Sequence, residues 1–241
     1  MLQKTSGVIL KTTKYSENSL IVKIYTQQFG LQSYIINGVR NKKSKNRISV
    51  FQPLSIVDLE VINSEKKTLQ RITEINLQHS FSDIPFNIIK SSISIFVNEM
   101  LYRSIKEEHP DDDLYDFIIY ALKILDGTNE NCSNFPIVFV LELSKFLGFF
   151  PQGEYSNQNN YFDLQEGVFI ASEPHHPYYL KAELAVLLDK FLKNDFENYY
   201  LIAVGNDNRR KLLDILIEFY KLHIHGFSEI KSHKVLEEII S

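Results

Sequence analysis

The 241-residue chain has little cysteine, little glycine and no long apolar run, and each scarcity excludes a class of protein. Its single cysteine, Cys132, rules out a disulfide framework and a structural zinc site built from thiolates. Only 9 residues are glycine and no glycine-rich phosphate loop occurs, so neither an ATPase nor a dinucleotide enzyme is expected. The sequence has no uninterrupted apolar window of about 18 residues and no apolar leader, so we expect a cytoplasmic protein without a membrane span.

Charge is distributed unevenly along the chain. Residues 1–80 contain 12 Lys or Arg and 5 Asp or Glu, a net charge of +7, whereas residues 81–241 contain 14 and 25, a net charge of −11. The overall charge of −4 conceals this division. The asymmetry favours a basic module that binds a polyanion, joined to an acidic module with another role.

The hydrophobic pattern changes its period near residue 80. Before it, five runs alternate between apolar and polar residues, over 8–11, 20–25, 31–37, 54–62 and 68–77. Five short antiparallel strands in so few residues favour a closed barrel of the oligonucleotide-binding (OB) type, because closure removes exposed edges. After residue 80, apolar residues recur at three- and four-residue steps. This period predicts helices over 87–107, 113–126, 135–148, 178–193, 206–224 and 229–239.

The predicted fold is therefore α+β and has two domains. The OB barrel occupies residues 1–80, and an all-α helical domain occupies 81–241, with the boundary near Phe81–Phe86. At this boundary Ile84 and Phe86 are expected to pack. Residues 151–177 are polar and rich in turns, and they form an insertion with a small hairpin around Tyr161–Phe169.

The densest functional signal is a basic loop between the third and fourth strands. It has five cations in eight residues and no acid, namely Arg40, Lys42, Lys43, Lys45 and Arg47. Such a loop suits a phosphate backbone, and Lys11 and Lys14 would extend the basic track. Aromatic rings in the same domain could stack on bases. The candidates are Tyr15, Tyr25, Phe29 and Tyr34, of which Tyr15 and Tyr34 are placed in the predicted DNA site.

The remaining reactive side chains indicate structural roles. His175 and His176 are adjacent, and His223 and His225 are two apart, so neither pair has the helical spacing of a metal hydrolase. Cys132 has no local nucleophile signature, and the acidic run 111–113 fits a helix start. The sequence therefore predicts no catalytic residue, no metal ligand and no cofactor.

A series of motifs along the whole chain resembles the bacterial recombination mediator family RecO. The motifs lie at residues 7–12, 15–20, 29–30, 37–40, 51–54, 58–61, 147–151 and 230–236. The resemblance implies a non-enzymatic DNA repair protein that binds single- and double-stranded DNA and anneals complementary strands. It also implies that the protein works with RecR to load RecA onto strands covered by single-strand-binding protein. The basic loop 40–47 matches the DNA-binding loop of the family.

The chain departs from the family pattern after the motif at 147–151. Many members carry a four-cysteine zinc module there, but the stretch 151–177 contains no cysteine. We expect this degenerate module to be zinc-free and to be held by the packing of Tyr155, Tyr161, Phe162 and Phe169.

Two other functions share part of this pattern. An OB-fold RNA-binding or ribosome-associated adaptor would share the barrel and the basic loop, but the long helical domain and the motif at 230–236 argue against it. A nuclease would need a constellation of acids and histidines, and the sequence shows none. No small-molecule substrate and no membrane partner are expected.

Overall fold

The computed structural model describes residues 2–38, 48–64, 66–106 and 109–240, and it begins with a closed five-stranded barrel. The strands are β1 Leu2–Lys14, β2 Ser19–Thr26, β3 Gly30–Asn37, β4 Ile56–Ile62 and β5 Leu69–His79. Their order around the barrel is β1-β2-β3-β5-β4. β3 and β5 pair in parallel, and the other neighbours are antiparallel. The predicted OB barrel is confirmed.

The alternating pattern of the strands separates two apolar layers. Ile9, Val22 and Val57 belong to a cluster that fills the barrel. Val8, next to Ile9 on β1, and Tyr25 on β2 belong instead to the large core that the helices share. The barrel thus has an apolar interior and an apolar outer surface covered by helices, as the two-residue period of a strand allows.

Among the residues that the structure describes, six α-helices follow the barrel. They are α1 Ile88–Ser104, α2 Asp112–Gly127, α3 Phe135–Phe146, α4 Ala182–Leu192, α5 Asn206–His223 and α6 Ser232–Ile239. α3 is the central helix, because nearly every residue from Phe135 to Leu143 is buried. These positions confirm the helices predicted from the sequence. No helix within the described ranges is both long and apolar enough to cross a bilayer.

The insertion at 151–177 contributes two strands to a small sheet. β6 Tyr161–Asp163, β7 Val168–Ile170 and β8 Tyr179–Lys181 pair in the order β7-β6-β8. Phe162 and Phe169 are buried with ring centroids 5.0 Å apart, and Phe162 also contacts Phe219 of α5 at 6.0 Å. The hairpin was predicted. The third strand was not, because residues 179–181 continue directly into the helical period of α4.

A polar network fixes the segment between barrel and helices. The carboxylate of Asp126 accepts hydrogen bonds from the backbone N–H groups of Ser82, Asp83 and Ile84, each at 2.9 Å. Burial alone would raise the pKa of Asp126, but these donors lower it below its ordinary value. The ammonium of Lys90, a buried side chain, lies 2.6 Å from the carboxylate of Asp83.

One packing prediction in this segment is wrong. Ile84 is buried as expected, but the side chain of Phe86 is 85% exposed. The backbone N–H of Phe86 closes a turn onto the carbonyl of Asp83, and the ring remains outside the core. The division of the chain into domains at residue 80 stays a prediction.

Candidate nucleic-acid interface

The basic loop lies outside the described residues, but the chain on both sides of it is described. Its five cations are Arg40, Lys42, Lys43, Lys45 and Arg47. Before the loop, the N–H of Gly38 donates to the carbonyl of Asn18 in the β1–β2 turn, at 2.8 Å. After it, the carbonyl of Phe51 accepts a hydrogen bond of 2.8 Å from the hydroxyl of Thr12 in β1. The described residues on both sides of the loop, Gly38 and Phe51, therefore lie beside the same end of β1.

Two of the predicted DNA-binding residues lie at this end of β1. Lys14 is the last residue of the strand and is exposed. Tyr15 follows it, and its side chain is 63% exposed. The N–H of Tyr15 donates to the carbonyl of Ser19 at 3.0 Å, which fixes the backbone of the turn. This end of β1 and the turn after it thus present a cation and an accessible ring beside Gly38, the last described residue before the basic loop.

A second cluster of cations surrounds the ring of Tyr102, near the end of α1. Lys11 and Lys23 are directly opposite one another on β1 and β2. The Nζ of Lys11 lies 4.9 Å from the centroid of the Tyr102 ring and donates to its hydroxyl at 3.2 Å. The Nζ of Lys23 lies 5.4 Å from the same centroid, and the guanidinium carbon of Arg103 lies 5.6 Å from it. Three cations therefore share one aromatic ring.

The charge of this cluster is poorly compensated. Among the described residues, no carboxylate forms a salt bridge with Lys11 or Lys23. Arg103 has Glu99 at 4.0 Å, but that carboxylate also accepts hydrogen bonds from both the N–H and the hydroxyl of Ser232. Burial alone would raise the pKa of Glu99, but these hydrogen bonds lower it. Glu99 is therefore held by the first residues of α6, and within the described ranges neither lysine has a salt-bridge partner.

Two of the aromatic residues predicted to be available for stacking on bases are buried. Tyr34 is fully buried inside the barrel, and burial raises the pKa of its hydroxyl to about 12. Tyr25 is buried against the helices, and its hydroxyl donates to the carbonyl of Asp111 at 3.3 Å. Phe29 is half-buried against the barrel core. The alternation identifies strands but does not say which face a large ring occupies, so Tyr34 is removed from the candidate site.

The structure adds three residues that the sequence did not single out, Lys23, Tyr102 and Arg103. Lys23 could have been predicted from the sequence, because it lies at a polar position of the second strand. Tyr102 and Arg103 could not, because they belong to a helix that reaches Lys11 only through tertiary packing. The sequence separation between Lys11 and Tyr102 is 91 residues.

The residues that were assigned structural roles make structural contacts. The His223 ring donates to the carbonyl of Leu164 at 2.9 Å and stacks on Phe149 with centroids 5.2 Å apart. Burial raises the pKa of the Cys132 thiol, which disfavours the reactive thiolate. The carboxylate of Asp111 caps α2 by accepting a hydrogen bond of 2.9 Å from the N–H of Leu114.

Comparison with known proteins gives the same family over both parts of the chain. Residues 1–81 match the family described as "Recombination protein O N terminal", and residues 85–232 match "Recombination protein O C terminal". The chain is 34% identical over 241 residues to the DNA repair protein RecO of Phocaeicola vulgatus, covering 100% of both proteins. It is 36% identical over 241 residues to the DNA repair protein RecO of Flavobacterium psychrophilum, covering 99% of each. The chain belongs to the RecO family of DNA repair proteins.

Proposed function

We propose that this protein is a non-enzymatic recombination mediator that binds single- and double-stranded DNA and anneals complementary strands. The observation that carries the proposal is the cluster of Lys11, Lys23 and Arg103 on the Tyr102 ring. Uncompensated cations of this kind are stabilised by an external anion, and a phosphate backbone offers regularly spaced ones. Its two lysines lie on β1 and β2, the strand pair whose turn accepts a hydrogen bond from Gly38, just before the basic loop.

The proposed mechanism separates backbone binding from base reading. The lysines and the basic loop hold a strand through its phosphates, which gives affinity with little sequence preference. Tyr15 and Tyr102 offer rings on which bases stack. The base edges then remain free to pair with a complementary strand. The acidic helical domain repels DNA and so directs strands onto the barrel.

The proposed partners follow from the family and from the division of charge. The helical domain would recruit RecR and single-strand-binding protein, and through RecR the protein would help to load RecA. Such a protein acts where the chromosome is, in the cytoplasm. It needs neither a small-molecule substrate nor a cofactor for this role.

An annealing assay with charge-reversed lysines tests the proposal. The triple variant Lys42→Glu, Lys43→Glu, Lys45→Glu is compared with Lys123→Glu, Lys190→Glu, Lys211→Glu, which changes the net charge equally on the helical domain. All three control lysines are exposed. For single strands, each lost phosphate contact removes about 0.7 from the slope of log affinity against log salt, so the loop variant should lose roughly 2. It should also anneal far more slowly, while the control keeps its slope.

Two further measurements examine the other functions. Affinities for matched single-stranded DNA and RNA across salt test the nucleic-acid class, and a strong RNA preference would overturn the proposal. Labelled DNA is also incubated with magnesium or manganese and with metal-free controls. Cleavage that depends on the protein would show that it is an enzyme. In the lysine-reversal experiment described above, an unchanged salt slope in the loop variant would show that the loop does not bind DNA.

A further inference from the structure

One group of three metal-ligating side chains stands out in the described part of the chain. It consists of Asp214 on α5 with His233 and Glu237 on α6. We propose that this group, the α5–α6 site, binds one divalent transition-metal ion, with zinc as the best fit. The ion would fasten the C-terminal helix to α5. The proposal is independent of the DNA-binding role and of the cysteine-free insertion.

The geometry of the α5–α6 site is close to what zinc requires. His233 and Glu237 are four residues apart on one helix, so their side chains lie on the same face. One ligand atom from each residue lies within 4.8 Å of the other two. The Nε2 of His233 is 3.5 Å from a carboxylate oxygen of Asp214. Bonds of about 2.0–2.1 Å in a tetrahedron place neighbouring ligands roughly 3.4 Å apart, so only small side-chain movements are needed.

Hydrogen bonds at both ends of α6 hold the ligands in place. At its start, the carboxylate of Glu99 accepts from the N–H groups of Lys231 and Ser232, at 2.9 and 2.8 Å. Near its end, Arg210 of α5 donates to the backbone carbonyl of Glu237 at 2.6 Å. The helix is thus fixed against α1 and α5 before any ion binds. A site prepared in this way loses little conformational entropy on binding.

The donor set and its surroundings define the class of ion. One imidazole and two carboxylates favour zinc over magnesium or calcium, which prefer oxygen ligands alone. The His233 side chain is 12% exposed and that of Asp214 is 54% exposed, so solvent can supply a fourth ligand. The Nδ1 of His233 has no hydrogen-bond partner among the described residues. Loss of such an outer partner typically weakens binding about 10–100-fold, so we expect micromolar affinity.

Calorimetric titration of the full chain with zinc chloride tests the proposal. After removal of metals with a chelator, the unaltered protein should bind one zinc ion per chain, and its Tm should rise by several degrees, because ligands that bind only the folded state stabilise it. Magnesium chloride should give no comparable heat. The variant His233→Gln should lose the zinc binding, and Asp214→Asn should weaken it at least tenfold. The control His225→Gln changes an exposed histidine outside the site and should bind normally.

Two results would overturn the proposal. The first is the absence of binding to the unaltered protein up to ~100 μM zinc, well above the micromolar range. The second is equal binding by the unaltered protein and both site variants, which would place the ion elsewhere. Asp214 is half-exposed, so its substitution to Asn retains the fold and keeps the test decisive if His233→Gln is unstable. DNA affinity is measured in parallel and should be the same in all these proteins.

Discussion

The barrel places like charges opposite one another on two strand pairs, and it treats the two pairs differently. On β1 and β2, Lys11 faces Lys23, and both approach the ring of Tyr102. On β4 and β5, Glu60 faces Glu74. Like charges directly opposite one another destabilise a sheet, so each pair needs a compensating partner.

The acidic pair finds its partners within the barrel. Glu60 forms a salt bridge of 3.3 Å with Lys4 of β1, and Glu74 accepts a hydrogen bond of 3.2 Å from Asn76. The neighbouring Asp58 accepts from the hydroxyl of Ser6 at 2.8 Å and from the amide of Gln78 at 3.1 Å. The acidic face, formed by Asp58, Glu60 and Glu74, therefore finds its partners among side chains of the barrel.

Lys11 and Lys23 contact the ring of Tyr102. Glu60 and Glu74 instead contact a lysine and a hydrogen-bond donor. A cation–π contact at an exposed site contributes about 0.5–1 kcal/mol and does not neutralise the cation. The positive charge of Lys11 and Lys23 thus remains for an external ligand. We therefore place the proposed DNA contact on the face of β1 and β2 that carries Lys11 and Lys23.

Reversing the charges of Lys11 and Lys23 should have the largest effect on DNA affinity. In the variant Lys11→Glu, Lys23→Glu, we expect the affinity for single-stranded DNA to fall more than tenfold at low salt. The salt slope should also fall by roughly 1.4, because two phosphate contacts are lost. The matched control is Lys123→Glu, Lys211→Glu on the helical domain. Fluorescence anisotropy across salt concentrations measures both, and equal behaviour of the two variants would contradict the assignment.

Removing the shared ring should have the next largest effect. The variant Tyr102→Leu should bind single strands about fivefold more weakly, since base stacking contributes about 1–3 kcal/mol and this ring is half-buried. Duplex DNA, whose bases are already stacked, should be affected less. Tyr102→Phe keeps the ring and should restore most of the affinity. If Leu and Phe behave alike in the binding assay, the ring does not stack on bases.

Substitutions of Tyr15 and Tyr34, the two barrel tyrosines placed in the predicted DNA site, should have different and smaller effects on DNA affinity. Tyr15→Leu removes an exposed ring and should weaken single-strand binding about two- to fivefold. Tyr34→Phe changes a buried hydroxyl and should alter thermal stability without changing DNA affinity. Binding and melting curves on both variants check this. Weakened binding by a stable Tyr34→Phe protein would restore Tyr34 to the site.

Neutralising the acidic pair should have the smallest effect. In Glu60→Gln, Glu74→Gln, the like-charge repulsion and one surface salt bridge disappear together, so stability should change by less than about 1 kcal/mol. DNA affinity should stay within about twofold, with any change toward tighter binding. A large loss of affinity would mean that the acidic face contacts the ligand, and the comparison between the faces would fail.

The sequence predicted the fold better than it predicted the site. Strand alternation and helical period depend on local residue order, so the five barrel strands and six helices were recoverable. Lys11 was proposed because it lies near the first turn and could extend the basic track. Tyr34 was assigned wrongly because alternation does not reveal which face of a barrel strand is interior. Tyr102 was missed because only the packing of α1 on the barrel brings it to Lys11.

Ultraviolet crosslinking of a single-stranded oligonucleotide, followed by mass spectrometry of the linked peptides, tests the central claim most directly. Aromatic side chains that stack on bases are the ones expected to crosslink. We expect linked peptides that contain Tyr15 and Tyr102, and we expect them to disappear at high salt, where phosphate contacts weaken. An oligonucleotide that binds the protein but gives no crosslink at Tyr15 or Tyr102 would contradict the claim.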